Sequence, residues 1–116
     1  MPFLRILFAL VLLTLPTIAD PQNRNVPLGY QQISAATLVS ATTLTVPTGA
    51  TVAYIIVSAT SGNAASVNYR DDGTNPTSTT GNTLGLGQQL IYTGSLGIIS
   101  FIVNTGSPIL NVSYYR

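Results

Sequence analysis

Val52-Ala53-Tyr54-Ile55-Ile56-Val57-Ser58-Ala59 is the stretch whose reading decides the fold. It is rich in β-branched and aromatic residues, which suit the pleated backbone of a strand. Pro47-Thr48-Gly49-Ala50 punctuates it upstream and Ser61-Gly62-Asn63 downstream, so the run is too short for a typical buried helix. Apolar side chains occupy both alternating faces as far as Val57, which predicts a central strand buried on both sides. Residues 98–104, Ile-Ile-Ser-Phe-Ile-Val-Asn, read as a second fully buried strand.

The flanking sequence repeats the pattern in weaker form. Short extended segments are predicted at residues 28–34, 36–39, 42–46, 66–70, 89–93 and 109–115, with glycine or proline between most of them. In residues 89–93, Leu90 and Tyr92 share a face. In residues 109–115, Leu110, Val112 and Tyr114 point inward, and Asn111, Ser113 and Tyr115 outward. Residues 83–87, Thr-Leu-Gly-Leu-Gly, carry too much glycine for a long strand. From residue 28 onward no ten-residue window shows sustained helical periodicity, so nothing there could serve as a crossover helix. The prediction is an all-β chain: a single antiparallel β-sandwich, jelly-roll-like, of about seven to eight strands.

Composition narrows the function classes. Cysteine and histidine are absent from the 116 residues, which removes disulfides, thiolate metal sites, the commonest general base and the commonest metal ligand. Lysine, glutamate and tryptophan are also missing. The charged residues are Arg5, Asp20, Arg24, Arg70, Asp71, Asp72 and Arg116, for a net charge of +1. So few cations cannot track a phosphate backbone, and nucleic acid is not expected as a partner. A weakly charged, Thr/Gly-rich surface has little repulsion to keep copies apart, which points towards self-assembly.

Three segments are expected. Residues 1–19 read as a signal peptide or a hydrophobic anchor: Arg5 supplies a positive start, residues 6–13 are unbroken and apolar, Pro16 interrupts, and Thr17-Ile18-Ala19 fits a cleavage site after Ala19. The run is shorter than a typical membrane span of about 20 residues, and any membrane contact would run through residues 1–19 alone. Residues 20–27 are a polar, proline-bearing linker, and residues 28–116 form the sandwich.

The candidate interface residues are Arg70, Asp71, Asp72, Tyr115 and Arg116, with Arg70 and the two aspartates the expected contact point on an otherwise uncharged surface. Asp71-Asp72-Gly73-Thr74-Asn75 has the oxygen density of a calcium loop, but lacks the alternate acids and the distal glutamate of an EF-hand. The competing reading is a turn, with aspartate accepting backbone N–H groups, Gly73 taking positive φ and Pro76 extending Asn75. Adjacent carboxylates on a strand point to opposite faces, which argues against an acid–base pair. Arg70 is expected to pair locally with an acid, and Arg116 to sit beside its own terminal carboxylate. The tyrosines suit core or interface packing, with sugar stacking as the competing reading. Asn111-Val112-Ser113 matches a glycosylation sequon but falls in a strand, and Gly85-Leu86-Gly87 lacks the helix a phosphate cradle needs.

Four motifs in fixed order are similar to those of small tailed-bacteriophage virion-associated proteins. They are Thr-Val-Pro-Thr-Gly-Ala-Thr-Val-Ala-Tyr-Ile (45–55), Val-Asn-Tyr-Arg-Asp-Asp-Gly-Thr-Asn-Pro-Thr (67–77), Gly-Ser-Leu-Gly-Ile-Ile-Ser-Phe-Ile (94–102) and Leu-Asn-Val-Ser-Tyr-Tyr-Arg (110–116). The resemblance covers about residues 37–116 and departs from the usual pattern in the N-terminal apolar segment. It implies a compact β-sandwich acting as head decoration, cement or tail accessory, with no catalytic residues and no cofactor. The expectation is therefore a non-enzymatic virion protein that binds capsid or tail proteins and forms a homo-oligomer. The competing expectation is a secreted or periplasmic, lectin-like or adhesion module.

Overall fold

A computed structural model describes residues 25–60 and 64–116. The expected leader over residues 1–19, most of the linker and the turn at residues 61–63 lie outside the described residues. Eight strands follow in order: β1 (Pro27–Ile33), β2 (Thr42–Thr43), β3 (Val52–Ala59), β4 (Ser66–Arg70), β5 (Asn82–Gly85), β6 (Gln89–Tyr92), β7 (Ser100–Thr105) and β8 (Pro108–Tyr115).

They form two four-stranded antiparallel sheets, ordered β1-β8-β3-β6 and β2-β7-β4-β5. The first strand pairs with the last, β2 with β7, β3 with β6 and β4 with β5. This is the order of one long hairpin wound into two layers, the jelly-roll form of the β-sandwich. The predicted fold class is the observed one.

The core lies between the layers. The side chains of Leu38, Ile55, Val57, Val67, Ile99, Phe101, Leu110, Val112 and Tyr114 are buried there. Strand β8 has the cleanest alternation, with Pro108, Leu110, Val112 and Tyr114 buried and the residues between them half-buried. Val26 extends the sheet beyond β1 through reciprocal backbone hydrogen bonds with Arg116, each 3.0 Å.

Four sequence expectations are corrected. The strand expected over residues 42–46 is only the two-residue β2. Strand β3 is buried on one face only: Ala53, Ile55 and Val57 point inward, while Ile56 is exposed. In an antiparallel sandwich the outer face meets solvent, so the apolar residues at 52, 54 and 56 cannot be core. Residues 35–39 form a turn rather than a strand. The Ser34 carbonyl accepts from the amides of Thr37 and Leu38, both at 3.1 Å, and this bend takes the chain from one sheet to the other while burying Leu38. The strand expected over residues 98–104 begins at Ser100, because the Ser95 carbonyl accepts from the Ile98 amide at 3.0 Å and closes a turn, and it is not fully buried: Ile98 is exposed and Ile102, Val103 and Asn104 are half-buried.

Candidate functional site

Strand β4 ends at Arg70, whose side chain folds onto Asp72. Its Nε donates to Asp72 Oδ1 at 3.2 Å, and its Nη2 donates to Oδ2. Asp72 Oδ1 also accepts from the Thr74 amide at 3.1 Å, which makes the turn. Gly73 stands at φ 86°, in the left-handed region where a side chain is strained. The paired guanidinium, followed by the Thr74 amide, holds the Asp72 carboxyl below the usual carboxylate range, and Asp72 in turn raises Arg70.

Asp71 turns away from this pair. Its Oδ2 accepts from the Tyr92 hydroxyl at 3.1 Å. Tyr92 ends β6, which belongs to the opposite sheet. Burial, and then the Asp71 carboxylate, push the Tyr92 phenol above its ordinary value. The two adjacent acids are thus committed to different partners and do not converge on one cation or one proton. Among the described residues no group of three or more His, Cys, Asp or Glu side chains lies together.

The rest of the β4–β5 loop folds back over its own sheet. Thr77 and Thr80 exchange backbone hydrogen bonds of 2.9 and 3.3 Å, and Pro76 is buried. Asn68 is outward on β4 yet buried, because its Nδ2 donates to the Thr77 carbonyl at 3.0 Å while its Oδ1 accepts from Thr83 Oγ1 at 2.8 Å. Gly81, at φ 139°, lets the loop close: a Cβ there would stand 3.0 Å from the Tyr69 carbonyl oxygen. Further along the same face, Ser66 Oγ bonds Thr105 Oγ1 at 2.9 Å and accepts from Asn104 Nδ2 at 3.0 Å. The outer side of the β2-β7-β4-β5 sheet is therefore largely polar and partly covered by its own loop; Ile102 shares it, and the buried Ser100 hydroxyl has no hydrogen-bond partner among the described residues.

The outer face of the other sheet differs. Tyr115 packs on Tyr54, with ring centroids 4.7 Å apart and planes at 44°. The Tyr54 hydroxyl accepts from Asn25 Nδ2 at 2.8 Å. Register places Ile91 opposite Tyr54, and Asn111 opposite both Ile56 and Gln32. Asn111 Oδ1 accepts from the Tyr30 hydroxyl at 2.8 Å and from Gln32 Nε2 at 3.0 Å, while its Nδ2 donates to Ser58 Oγ at 2.9 Å. Tyr30 is 62% exposed, Ile91 56% and Ile56 40%. No Arg, Asp, Glu, Lys or His occupies an outward position of these four strands.

All five residues singled out from sequence fall at one end of the sandwich, where β4, β6 and β8 end and β3, β5 and β7 begin. Among the described residues no hydrogen bond or ion pair joins Arg70, Asp71 or Asp72 to Tyr115 or Arg116. The Arg116 guanidinium lies towards the β2–β3 turn, 4.0 Å from where a Cβ would stand on Gly49. Sequence reading missed Tyr30, Ile56, Ile91 and Asn111 as parts of one surface. The available signal was parity: apolar residues at 52, 54 and 56 share a face with one another, opposite to 53, 55 and 57.

The inward tyrosines serve the core. Tyr114 is buried and its hydroxyl donates to Gln31 Oε1 at 2.6 Å; burial pushes its phenol up to about 12. Tyr69 packs on Phe101, with ring centroids 5.8 Å apart. Comparison with protein-family models, with curated proteins and with solved structures gave no match.

Proposed function

We propose that this chain is a non-enzymatic structural protein of a phage-like virion, binding capsid or tail proteins and itself through an apolar, tyrosine-bearing sheet face. The observation that carries this reading is the contrast between the two outer faces. One is largely polar and partly covered by the β4–β5 loop. The other exposes Tyr30, Ile56 and Ile91 with no charged side chain among them. These apolar side chains alternate with Gln32, Gln89, Asn111 and Ser113 across the register, so the face is mixed but uncharged, and large exposed apolar side chains gathered on one face of a small domain favour an interaction site. Aromatic anchors and depletion of charge are the composition of interface cores. The four phage-like motifs supply the virion setting, and the jelly roll is an architecture that viral capsid proteins use, which is support by analogy of fold alone.

The charged end supplies orientation rather than bulk affinity. Arg70 and Asp72 neutralise each other, and Asp71 is tied to Tyr92. A rim of this kind discriminates between partners more than it strengthens binding.

The lectin-like reading draws less support from the same face. Sugar recognition needs free hydroxyls and amides beside an open ring. Here the Tyr30 hydroxyl and both ends of the Asn111 amide already have partners and the Tyr54 hydroxyl accepts from Asn25, which leaves Tyr115, Ser113 and Gln89 as the polar groups a sugar would have to use.

Quantitative mass spectrometry of purified particles tests the proposal. The chain should be present in fixed ratio to the major shell protein after stringent washing. Its absence from the particles would overturn the reading.

A further inference from the structure

We infer that the outer face of the β1-β8-β3-β6 sheet is the surface on which a second copy of this chain docks, sheet against sheet, across a two-fold axis. The inference rests on the assembly reading above and specifies which face, and which partner, that assembly begins with.

Charge selects the occupant. All four charged residues among those described, Arg70, Asp71, Asp72 and Arg116, lie at one end of the sandwich and off this face. Two copies can therefore meet face to face without burying an ion, the step that ordinarily makes such contacts costly. A strongly charged partner would find nothing here to pair with. The Asn111 cluster does not oppose docking either, whereas Gln89 and Ser113 on the same face make no side-chain hydrogen bond among the described residues and would have to find partners across the contact. Asn111 is satisfied by Tyr30, Gln32 and Ser58, so a second sheet can exclude water without leaving these groups unpaired.

The order of strands makes the face complementary to itself. Ile91 lies on the β6 edge and Tyr30 on the β1 edge, with Tyr54, Tyr115 and Ile56 between them. A two-fold axis along the strand direction lays the β1 edge of one copy over the β6 edge of the other. Tyr30 of each copy then covers Ile91 of the other, and the same contact occurs twice, as an isologous interface requires. The size approaches that of a small interface. Strands of seven, eight, eight and four residues, at about 3.3 Å per residue and about 4.8 Å apart, give a plan area of roughly 430 Å². Side-chain relief brings this towards the roughly 600 Å² a side of the smaller specific interfaces.

The test is sedimentation velocity of the full chain over a wide concentration range, as wild type and as Ile56→Arg, Ile91→Arg, Tyr30→Arg and Ser107→Arg. Circular dichroism checks that each variant folds. Ile91 and Tyr30 are well exposed on edge strands, so at least these two should keep the fold. Ser107, in the turn at the far end, is the control. The wild type and Ser107→Arg should dimerise. The three face variants should raise the dissociation constant by about tenfold or more. Wild-type behaviour in all three folded face variants would overturn the inference. So would a strictly monomeric wild type, including one whose Ile56 and Ile91 are shielded by residues 1–24 of the same chain or are occupied only by another virion protein. Particle composition is read separately. A chain that is present in particles but monomeric in isolation refutes the two-fold contact alone. A chain that dimerises but is missing from particles refutes the virion reading alone.

Discussion

The Tyr92 hydroxyl donates to the Asp71 carboxylate at 3.1 Å, and this bond joins the end of β6 in one sheet to the residue following β4 in the other. It is a tie between layers at the end of the sandwich where the charge is gathered. Gly94 is part of it. A Cβ at that position would stand 2.5 Å from Tyr92 Cζ and in closer conflict with the hydroxyl, so the ring would have to move. Tyr92→Phe should lower stability by about 1 kcal/mol through loss of the bond. Gly94→Ala should cost at least as much and also free Asp71. Thermal unfolding of both variants, with the Asp71 carboxylate followed by NMR, checks this.

Arg70 and Asp72 make stability depend on acid. The folded-state pKa of Asp72 is depressed, so its contribution is present above the unfolded carboxylate value of about 3.9 and is lost as pH falls through the lower folded value. Wild type should therefore exceed Asp72→Asn in stability at neutral pH, and the gap should close as the solution is acidified below about pH 4. Denaturant titrations at a series of pH values would measure it. A gap that stays constant into strong acid would show that the ion pair contributes nothing.

Tyr114 sets the alkaline limit. Its folded pKa is raised to about 12, so the stability it supports is complete below the unfolded tyrosine value of about 10 and is lost as pH rises through the folded one. Ionisation of Tyr114 should coincide with unfolding. Tyr114→Phe removes the bond to Gln31 at a cost of about 1 kcal/mol at neutral pH and should weaken this alkaline transition. Tyrosinate absorbance recorded alongside circular dichroism tests both points.

Gly106 should tolerate no side chain. It sits at φ 67° in the β7–β8 turn, and a Cβ there would collide with the Ala64 carbonyl oxygen and stand 3.2 Å from Ala65 Cα. Those are backbone atoms, which cannot swing aside. Gly106→Ala should destabilise the fold by more than the roughly 1 kcal/mol expected of the left-handed conformation alone, as measured by chemical denaturation.

How much of this was legible in the sequence varies with the range of the interaction. The bounds of β3 and β4 and the alternation of β8 were readable because local pattern decides them. The Arg70–Asp72 pair was readable because its partners are two residues apart. The turn at residues 35–39 was not. Ala-Thr-Leu-Val looks extended, and only the need to cross between sheets while burying Leu38 bends it. The link from Asp71 to Tyr92 spans 21 residues and two layers, so no local signal carries it. The outer face was concealed differently. Tyr54 and Ile56 look like core in sequence, since hydrophobicity alone does not distinguish burial within the chain from burial against a partner.

Isotope-filtered NMR of a mixed sample, one copy labelled and the other not, tests the central claim most directly. It detects contacts between copies and assigns them to residues. The account predicts intermolecular contacts confined to the outer face of β1-β8-β3-β6, with Tyr30 of one copy against Ile91 of the other and with Ile56, Tyr54 and Tyr115 involved. Intermolecular contacts that map instead to the β4–β5 loop or the β2-β7-β4-β5 sheet, or none at concentrations where the chain is abundant, would contradict it.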